Sequence, residues 1–176
     1  MTEKQQSTVV AVRIAVLTVS DSRTFETDTS GGYLAKALVD AGHHLTSRKL
    51  LSDDLDLVKG QLIEWCDDPR IDVIITTGGT GLTGRDITAD VVESLYLKAI
   101  PGFGELFRML SYQEIGSSTI QSRATGGLAR NHTLIFALPG STGACRLGWE
   151  QILAKQLNVD QRPCNLVTLM PRFKEV

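Results

Sequence analysis

Residues 71–86, IDVIITTGGTGLTGRD, carry the clearest structural signal in this chain. Ile71–Thr77 is an apolar, β-branched run of the kind that forms a strand buried on both faces, as in a parallel sheet. The run passes directly into Gly78–Gly81, whose glycines allow backbone conformations that other residues avoid. A buried strand that ends in a glycine-rich loop before a helix indicates an α/β fold.

The segments on either side of this stretch repeat the alternation of strand and helix. Further strands are predicted at Val12–Val19, at Leu45–Leu51 near a sheet edge, and at His132–Leu138. Ser30 and Ser52 are predicted to cap the first two helices, because each precedes an amphipathic stretch. Three more helices are predicted: one over Val92–Ala99, one that begins at Pro101 and one that contains Cys145. A last short strand is predicted over Cys164–Met170.

This order of elements predicts a three-layer α/β/α domain with a mostly parallel central sheet. At roughly 150 residues per domain, a chain of this length forms one domain. We place that domain at residues 12–170, between an N-terminal tail at 1–11 and a C-terminal tail at 171–176.

Composition narrows the classes of function. The 176 residues are 42% hydrophobic and 22% charged, with a net charge of −2, as in ordinary globular proteins. Without excess positive charge, DNA or RNA is a poor partner, whereas one small anionic ligand is allowed. The apolar run Val9–Val19 is too short to span a bilayer, and no cleavage pattern follows it. We predict a cytoplasmic protein with no membrane partner, in which Cys66, Cys145 and Cys164 are buried, reduced thiols.

Four polar or glycine-rich segments follow the predicted strands. Ligands of open α/β sheets bind beyond the carboxyl ends of the strands. We therefore expect these four segments to meet at one rim: Ser20–Arg23, Ser52–Asp54, Thr76–Gly81 and Leu138–Ser141.

The loop that begins at Gly78 predicts phosphate binding. Successive backbone N–H groups in such a loop form a concave site for an anion. The loop lacks the Gly-Lys-Ser/Thr ending of a P-loop and does not match the dinucleotide-binding fingerprint in register. A flexible strand-to-helix connection is the alternative interpretation, although few connections need so many glycines and threonines.

Asp53 and Asp86 are candidates for metal binding near that loop. Two carboxylates beside a phosphate site suit Mg²⁺-dependent phosphoryl or nucleotidyl transfer, because Mg²⁺ bridges carboxylate and phosphate oxygens. Both positions also suit a residue that caps a helix or complements its dipole. The residues alone leave the two interpretations equal.

Three further segments have open roles. Ser20–Arg23 with Asp28–Gly31 would hold an oxyanion through hydroxyl groups and one guanidinium, or would form a solvated loop and a helix cap. Ser117–Arg123 would contact a ligand edge or a neighbouring subunit. For Pro101–Glu105, a favourable helix start is a sufficient explanation.

Together these motifs resemble the MogA/MoaB family of molybdenum-cofactor biosynthesis proteins. The matching segments occur in family order over residues 13–160: Ser20–Arg23 with Ser30–Gly31, Asp53, Thr77–Gly81 through Arg85–Asp86, Pro101–Glu105 and Leu138–Ser141. Phe103–Arg123 and Pro139–Arg146 are most similar to the MoaB branch.

The resemblance implies a molybdopterin-binding fold and a reaction in which molybdopterin and ATP give adenylyl-molybdopterin and pyrophosphate, with Mg²⁺. Asp53 and Asp86 would be the catalytic pair that positions Mg²⁺. The other implied site residues form three groups. They are Gly78, Gly79, Thr80 and Gly81 for the nucleotide phosphates; Pro139, Gly140 and Ser141 for the adenosine side; and Ser20, Asp21, Arg23 and Ser30 near the pterin or nucleotide.

The resemblance also implies a homo-oligomer, either a trimer or a hexamer, and names the molybdenum-insertion protein as a candidate partner. Some members of the MoaB branch lack acidic residues at the active rim, whereas Asp21, Asp53 and Asp86 are all present here. The alternative function is a non-catalytic molybdopterin carrier or scaffold of the same pathway.

Overall fold

The centre of the molecule is a six-stranded mixed sheet with the strand order β2-β1-β3-β6-β5-β4. The computed structural model describes residues 10–175. The strands are β1 Arg13–Val19, β2 His44–Leu51, β3 Val73–Thr77, β4 Tyr96–Ala99, β5 Thr125–Ala129 and β6 Leu134–Leu138. Strands β2, β1, β3 and β6 are parallel, and β5 and β4 extend the sheet with antiparallel pairing. The predicted mostly parallel sheet is confirmed, with β2 at an edge.

Helices cover both faces of this sheet. Alternate residues of β1 divide the core: Ile14 and Val16 pack with α1, α4 and α5, whereas Ala15 and Leu17 pack with α2 and α3. Both faces of the strand are apolar because both are covered. The helices are α1 Thr29–Asp40, α2 Leu55–Asp67, α3 Thr88–Ser94, α4 Pro101–Ile115, α5 Thr142–Gly148, α6 Ala154–Gln156 and α7 Leu166–Leu169. A 3₁₀ segment, Gly116–Gln121, follows α4, and a π-helical segment, Trp149–Leu153, joins α5 to α6.

The predicted serine caps are wrong, and aspartates cap both helices. The carboxylate of Asp28 accepts a hydrogen bond from Gly31 N, and that of Asp54 accepts one from Leu57 N. A carboxylate satisfies a free N–H of the first turn and also complements the positive end of the helix dipole. Ser30 consequently lies inside α1, where it is completely buried.

Two strands were missed because distant contacts override the local pattern. The helix predicted over Val92–Ala99 ends at Ser94, and Tyr96–Ala99 forms edge strand β4. Strand β5 contains Gly127, where an added Cβ would lie 2.5 Å from the ring of Tyr96. The aromatic ring of one strand thus covers the bare backbone of the other, a contact that local periodicity does not report.

The C-terminal segment also differs from prediction. Leu166–Leu169 is helical and not a strand, because Asn165 caps it by accepting a hydrogen bond from Thr168 N at 2.9 Å. Cys66 and Cys145 are buried free thiols as predicted, but Cys164 is exposed. Phe173, placed in the predicted C-terminal tail, packs against the core, and residues 1–9 of the predicted N-terminal tail lie outside the described residues. Among residues 10–175, no helix is long and apolar enough to cross a membrane.

The turn between β5 and β6 allows a prediction about stability. Asn131 and His132 both have positive φ, 54° and 69°, as in the type I′ turns that favour Asn-Gly in hairpins. A His132→Gly variant should be more stable by about 0.5–1 kcal/mol, because relief of left-handed strain exceeds the entropy that glycine adds to the unfolded chain. Urea unfolding measures this difference. His132→Ala is the control, and an equal gain in that variant would show that strain is not the cause.

Candidate active site

The carboxyl ends of the central parallel strands lie level and form the floor of one cavity. Thr77 pairs in register with Thr18 of β1 and Leu138 of β6. The cavity above them has a volume of about 570 Å³, within the usual range for small-ligand sites. All four segments that follow the strands contribute to it, through Ser20, Ser22, Arg23, Asp53, Thr77, Gly78, Gly79, Thr80, Gly81, Pro139, Gly140 and Ser141.

A second wall of this cavity includes part of Ser117–Arg123, for which contact with a ligand edge was one of the two roles left open, and a part of α4 that sequence analysis missed. It comes from α4 and the 3₁₀ segment that follows, and it mixes apolar and polar groups: Phe107, Ser111, Ile115, Ser118, Gln121 and Ser122. The polar run Ser117–Ser122 was a signal for it, but sequence does not show that this run folds back toward the glycine loop. Arg123 N donates to Thr80 O at 2.9 Å and joins the two.

The glycine loop turns sharply against its neighbours. Gly78 has φ +97° and Gly79 has φ +64°, conformations that favour glycine. The N–H of Gly78 donates to Leu138 O at 3.1 Å, and Gly79 O accepts from Thr88 N at 2.9 Å. Gly78 therefore contributes by allowing close approach of backbones, since its own N–H is already bonded.

Replacing Gly78 should damage the site and the fold together. A Cβ at this position would lie 2.2 Å from the carbonyl oxygen of Val19, in the central strand β1. We expect Gly78→Ala to lower the free energy of unfolding by about 2–4 kcal/mol, because backbone strain adds to the clash. The matched control is Gly84→Ala in the same loop, where no atom lies within 4 Å of the added Cβ. Equal urea-unfolding midpoints for the two variants would contradict this explanation.

Asp53 and Asp86 face the same cavity and differ in electrostatic environment. Burial, and then the nearby negative charge of Asp86, raise the pKa of Asp53 above its usual value. Hydrogen bonds from Thr83 lower the pKa of Asp86: Thr83 Oγ1 donates at 2.6 Å and Thr83 N at 2.9 Å. As pH falls, Asp53 is therefore the first of the pair to take up a proton.

Neither of these two aspartates caps a helix. Asp54, not Asp53, caps α2. The residue at the N-cap of α3 is Ile87, and no side chain bonds the first turn there. Asp53 and Asp86 thus line the cavity without capping a helix, and Asp53, one residue before the N-cap of α2, also lies where a carboxylate complements the helix dipole.

Asp21, in the loop that follows β1, is hydrogen-bonded to Asp53 in the loop that follows β2. Asp21 N donates to Asp53 Oδ2 at 3.0 Å, and Asp53 N donates to Asp21 Oδ1 at 3.1 Å. The other oxygen of Asp21, Oδ2, pairs with Arg85 from the glycine loop. Asp21 does not itself line the cavity, so it acts on the site through Asp53 and Arg85.

Arg23 lines the cavity but its guanidinium is largely engaged with the protein. Nη1 donates to Ser30 Oγ at 2.6 Å, and Nη2 donates to Gly140 O at 2.9 Å. The carboxylate of Asp28 lies 3.6 Å from Nη1. Arg23 therefore joins the loop after β1 to the loop after β6, and buried Ser30 supports that arginine without reaching the cavity. Sequence analysis placed Asp28 in the segment Asp28–Gly31, whose role it left open, and did not predict the contact of Asp28 with Arg23.

Arg123 stabilises the glycine loop by bonding its backbone carbonyl groups. Its Nε donates to Gly81 O at 2.7 Å, its Nη2 donates to Asp86 O, and its Nη1 pairs with Asp90 at 2.8 Å. The guanidinium thus binds the loop itself, and it fixes the path of the chain that carries Asp86. Of the run Ser117–Arg123, Ser118, Gln121 and Ser122 line the cavity, whereas the side chain of Arg123 bonds the glycine loop.

Two carboxylates line the cavity, a donor set that a magnesium ion bound together with a phosphate ligand would need. In phosphoryl-transfer sites, Mg²⁺ is held by one or two carboxylates and by substrate phosphates, and it retains several waters. Asp53 and Asp86 supply the two carboxylates, and a bound cation would favour the charged form of Asp53, whose pKa is raised by burial and then by the charge of Asp86. Within residues 10–175 no cluster of three or more acidic, histidine or cysteine side chains surrounds a possible metal position. The donor set therefore does not suit a metal held by the protein alone.

The fold defines the class: it is the molybdopterin-binding α/β fold of the MoaB and MogA proteins. A crystal structure of "Molybdenum cofactor biosynthesis protein B" superposes with a TM-score of 0.81 at 43% identity, covering 85% of this chain and 92% of that chain. For the "tungsten cofactor synthesizing protein MoaB from Pyrococcus furiosus", the TM-score is 0.74 at 37% identity, with 83% and 92% covered.

The sequence then identifies the family. Residues 15–159 match the MoCF_biosynth family, described as "Probable molybdopterin binding domain". The "Molybdenum cofactor biosynthesis protein B" of Escherichia coli (strain K12) is 47% identical over 156 residues, which are 89% of this chain and 91% of that protein. The chain belongs to the MoCF_biosynth family, and its resemblance to the MogA/MoaB proteins is confirmed.

Proposed function

We propose that this protein acts in molybdenum cofactor biosynthesis as a molybdopterin adenylyltransferase. It would convert molybdopterin and ATP to adenylyl-molybdopterin and pyrophosphate. Family membership supports the pathway and the pterin substrate. The observation that carries the reaction type is the placement of two carboxylates, Asp53 and Asp86, in one cavity with the glycine loop.

The reaction needs charge stabilisation more than proton transfer. An oxygen of the terminal phosphate of molybdopterin attacks the α-phosphorus of ATP, a new P–O bond forms, and the bond to the β-phosphate breaks to release pyrophosphate. The nucleophile is already an anion, so no general base is required. Asp53 and Asp86 would hold Mg²⁺, which when bound neutralises charge on the phosphate oxygens.

The remaining rim residues would position the substrates. Backbone N–H groups of Gly79–Gly81 would bind phosphate oxygens, because such a loop presents several donors to one anion. Pro139–Ser141 would shape the adenosine side, held in place by the bond between Arg23 and Gly140 O. Ser20 would contact a substrate directly, whereas Asp21 and Ser30 would act through Arg85 and Arg23.

We also propose that the protein works as a trimer or hexamer and that a molybdenum-insertion protein receives its product. The observation that supports the oligomer is an apolar surface of α4 and the following segment, where Met109, Tyr112, Ile115 and Ile120 are each more than half exposed. Exposed apolar patches of this kind mark protein–protein contacts. Sedimentation velocity should give a trimer or hexamer mass, and a monomer at micromolar concentration would contradict the proposal.

The decisive experiment mixes purified protein with molybdopterin, ATP and Mg²⁺. Pyrophosphate release and formation of the adenylylated pterin are measured together, and equal amounts of both are expected. Pterin binding without pyrophosphate release would show instead a carrier or scaffold protein.

A further inference from the structure

The cavity must accept a multiply charged anion, yet its charged lining is balanced. Among the described residues, the charged side chains that line it are Arg23, Asp53, Arg85 and Asp86. A polyphosphate therefore meets two carboxylates as well as two guanidinium groups. Which of the two arginines is free to bind a phosphate depends on its contacts within the protein.

Arg23 has few donors to offer. Its terminal nitrogens bond Ser30 Oγ and Gly140 O, and Asp28 lies 3.6 Å away. Moving this guanidinium onto a ligand would leave a fully buried carboxylate, that of Asp28, with one ionic partner fewer. Such an exchange is unfavourable, because a buried charge depends on its partners.

Arg85 is in the opposite situation. Its side chain is 74% exposed and, in the described part of the chain, its guanidinium has one partner, Asp21 Oδ2. Ion pairs between exposed side chains contribute little to stability, so Arg85 can leave Asp21 for another anion at a small cost in free energy. Asp21 itself is anchored on its other side, because Oδ1 accepts from Asp53 N. The arginine is thus held at the rim, next to Asp53, by an anion that a ligand can replace.

We propose that Arg85 binds the phosphates of the polyphosphate substrate and of pyrophosphate, and that Asp21 holds it in position until the ligand arrives. The inference rests on the proposed nucleotide-binding function. A guanidinium bonds phosphate oxygens as it bonds carboxylate oxygens, so Asp21 Oδ2 takes the place of a phosphate oxygen at Arg85. Arg85 lines the same cavity as Asp53 and Asp86, so phosphate bound to it shares the cavity with the acidic pair.

The test measures binding, not turnover. Isothermal titration calorimetry with inorganic pyrophosphate and Mg²⁺ gives Kd for wild type, Arg85→Gln, Arg85→Lys and Asp21→Asn. We expect Arg85→Gln to weaken binding by about 10- to 100-fold, the value of a charge-assisted hydrogen bond, and Arg85→Lys to recover part of it. Asp21→Asn should tighten binding by about two- to fivefold, because the competing carboxylate is gone.

Two controls distinguish the replacement of Asp21 by phosphate at Arg85 from a general effect of surface charge on binding. Arg70→Gln removes an equally exposed arginine, 77% exposed and paired with Asp68 at 2.7 Å, that lies outside the cavity, and it should leave Kd unchanged. In the Arg85→Gln background, Asp21→Asn should no longer tighten binding, because the two residues act as one unit. Thermal unfolding of each variant checks that the exposed substitutions leave the fold intact.

Each result separates this inference from the proposed function. If wild type binds pyrophosphate and Arg85→Gln binds it equally well, the role of Arg85 is overturned while nucleotide binding stands. If Asp21→Asn tightens binding as much in the Arg85→Gln background as in wild type, Asp21 acts by repelling the ligand. The proposal that phosphate replaces Asp21 at Arg85 is then overturned. If wild type binds neither pyrophosphate nor ATP with Mg²⁺, the proposed function fails and this inference fails with it.

Discussion

Asp86→Asn should lower the rate of adenylyl transfer by about 100- to 1,000-fold, the usual cost of removing one electrostatic contact to a reacting phosphate or oxyanion. The substitution removes a charge that Mg²⁺ requires, yet it keeps the shape of the side chain. Asn retains a carbonyl oxygen that accepts the hydrogen bonds from Thr83 N and Oγ1. The free energy of unfolding should therefore change by less than about 1 kcal/mol. Pyrophosphate release gives the rate, and urea unfolding gives the stability.

Asp53 and Asp54, which are adjacent in the loop that follows β2, provide a matched pair of variants for this prediction. Asp53→Asn should lose activity as Asp86→Asn does, because both carboxylates face the cavity. Asp54→Asn should retain it, because Asp54 caps α2 and asparagine caps helices as well as aspartate does. Full turnover in Asp86→Asn would remove that residue from the proposed reaction.

The largest effect on stability is expected at Asp28. Its carboxylate is fully buried and accepts hydrogen bonds from Thr18 Oγ1 at 2.7 Å, Arg48 Nη2 at 2.9 Å and Gly31 N at 2.9 Å. It therefore connects β1, β2 and the start of α1. We expect Asp28→Ala to lower the free energy of unfolding by about 3–5 kcal/mol at neutral pH, since it leaves Arg48 without its buried partner. Urea unfolding monitored by circular dichroism measures the loss.

The pH dependence of that loss tests its origin. Burial acts to raise the pKa of Asp28, but the hydrogen bonds from Arg48, Thr18 and Gly31 outweigh it, and the net pKa is lowered. A lowered pKa in the folded state adds stability above the unfolded value of about 3.9. That stability is lost as pH falls through the folded pKa, so the difference between wild type and Asp28→Ala should shrink in acid.

Asp40→Asn, at the other end of the same helix, is the control for Asp28. Asp40 pairs with Lys36 one turn earlier, and both side chains are exposed. Such pairs contribute about 0.5 kcal/mol or less. A comparable loss of stability in Asp40→Asn, or a pH-independent loss in Asp28→Ala, would show that the buried ion pair is not the cause.

Apolar runs and glycine-rich segments in the sequence correctly predicted the parallel strands and the loops that follow them. The apolar run before Gly78 predicted a central strand, and the four joints after the strands predicted one rim, because parallel strands end on the same side. The helix caps were predicted less well, since Asp28 and Ser30 are both suitable capping residues and only their positions in the folded chain distinguish them. The substrate roles predicted from sequence remain predictions.

Residue order and composition were thus sufficient for the fold class and for the two carboxylates beside the glycine loop, and the resemblance of the motifs to known proteins was sufficient for the family. The contacts of Arg23, Arg85 and Arg123 required the folded chain. In sequence these arginines are alike, but in the structure Arg23 is tied to Ser30 and Gly140, Arg123 to the carbonyls of the glycine loop, and Arg85 only to exposed Asp21 within the described residues. A charge's function depends on its partners, and these partners come from segments far apart in the chain, so periodicity and spacing carry no information about them.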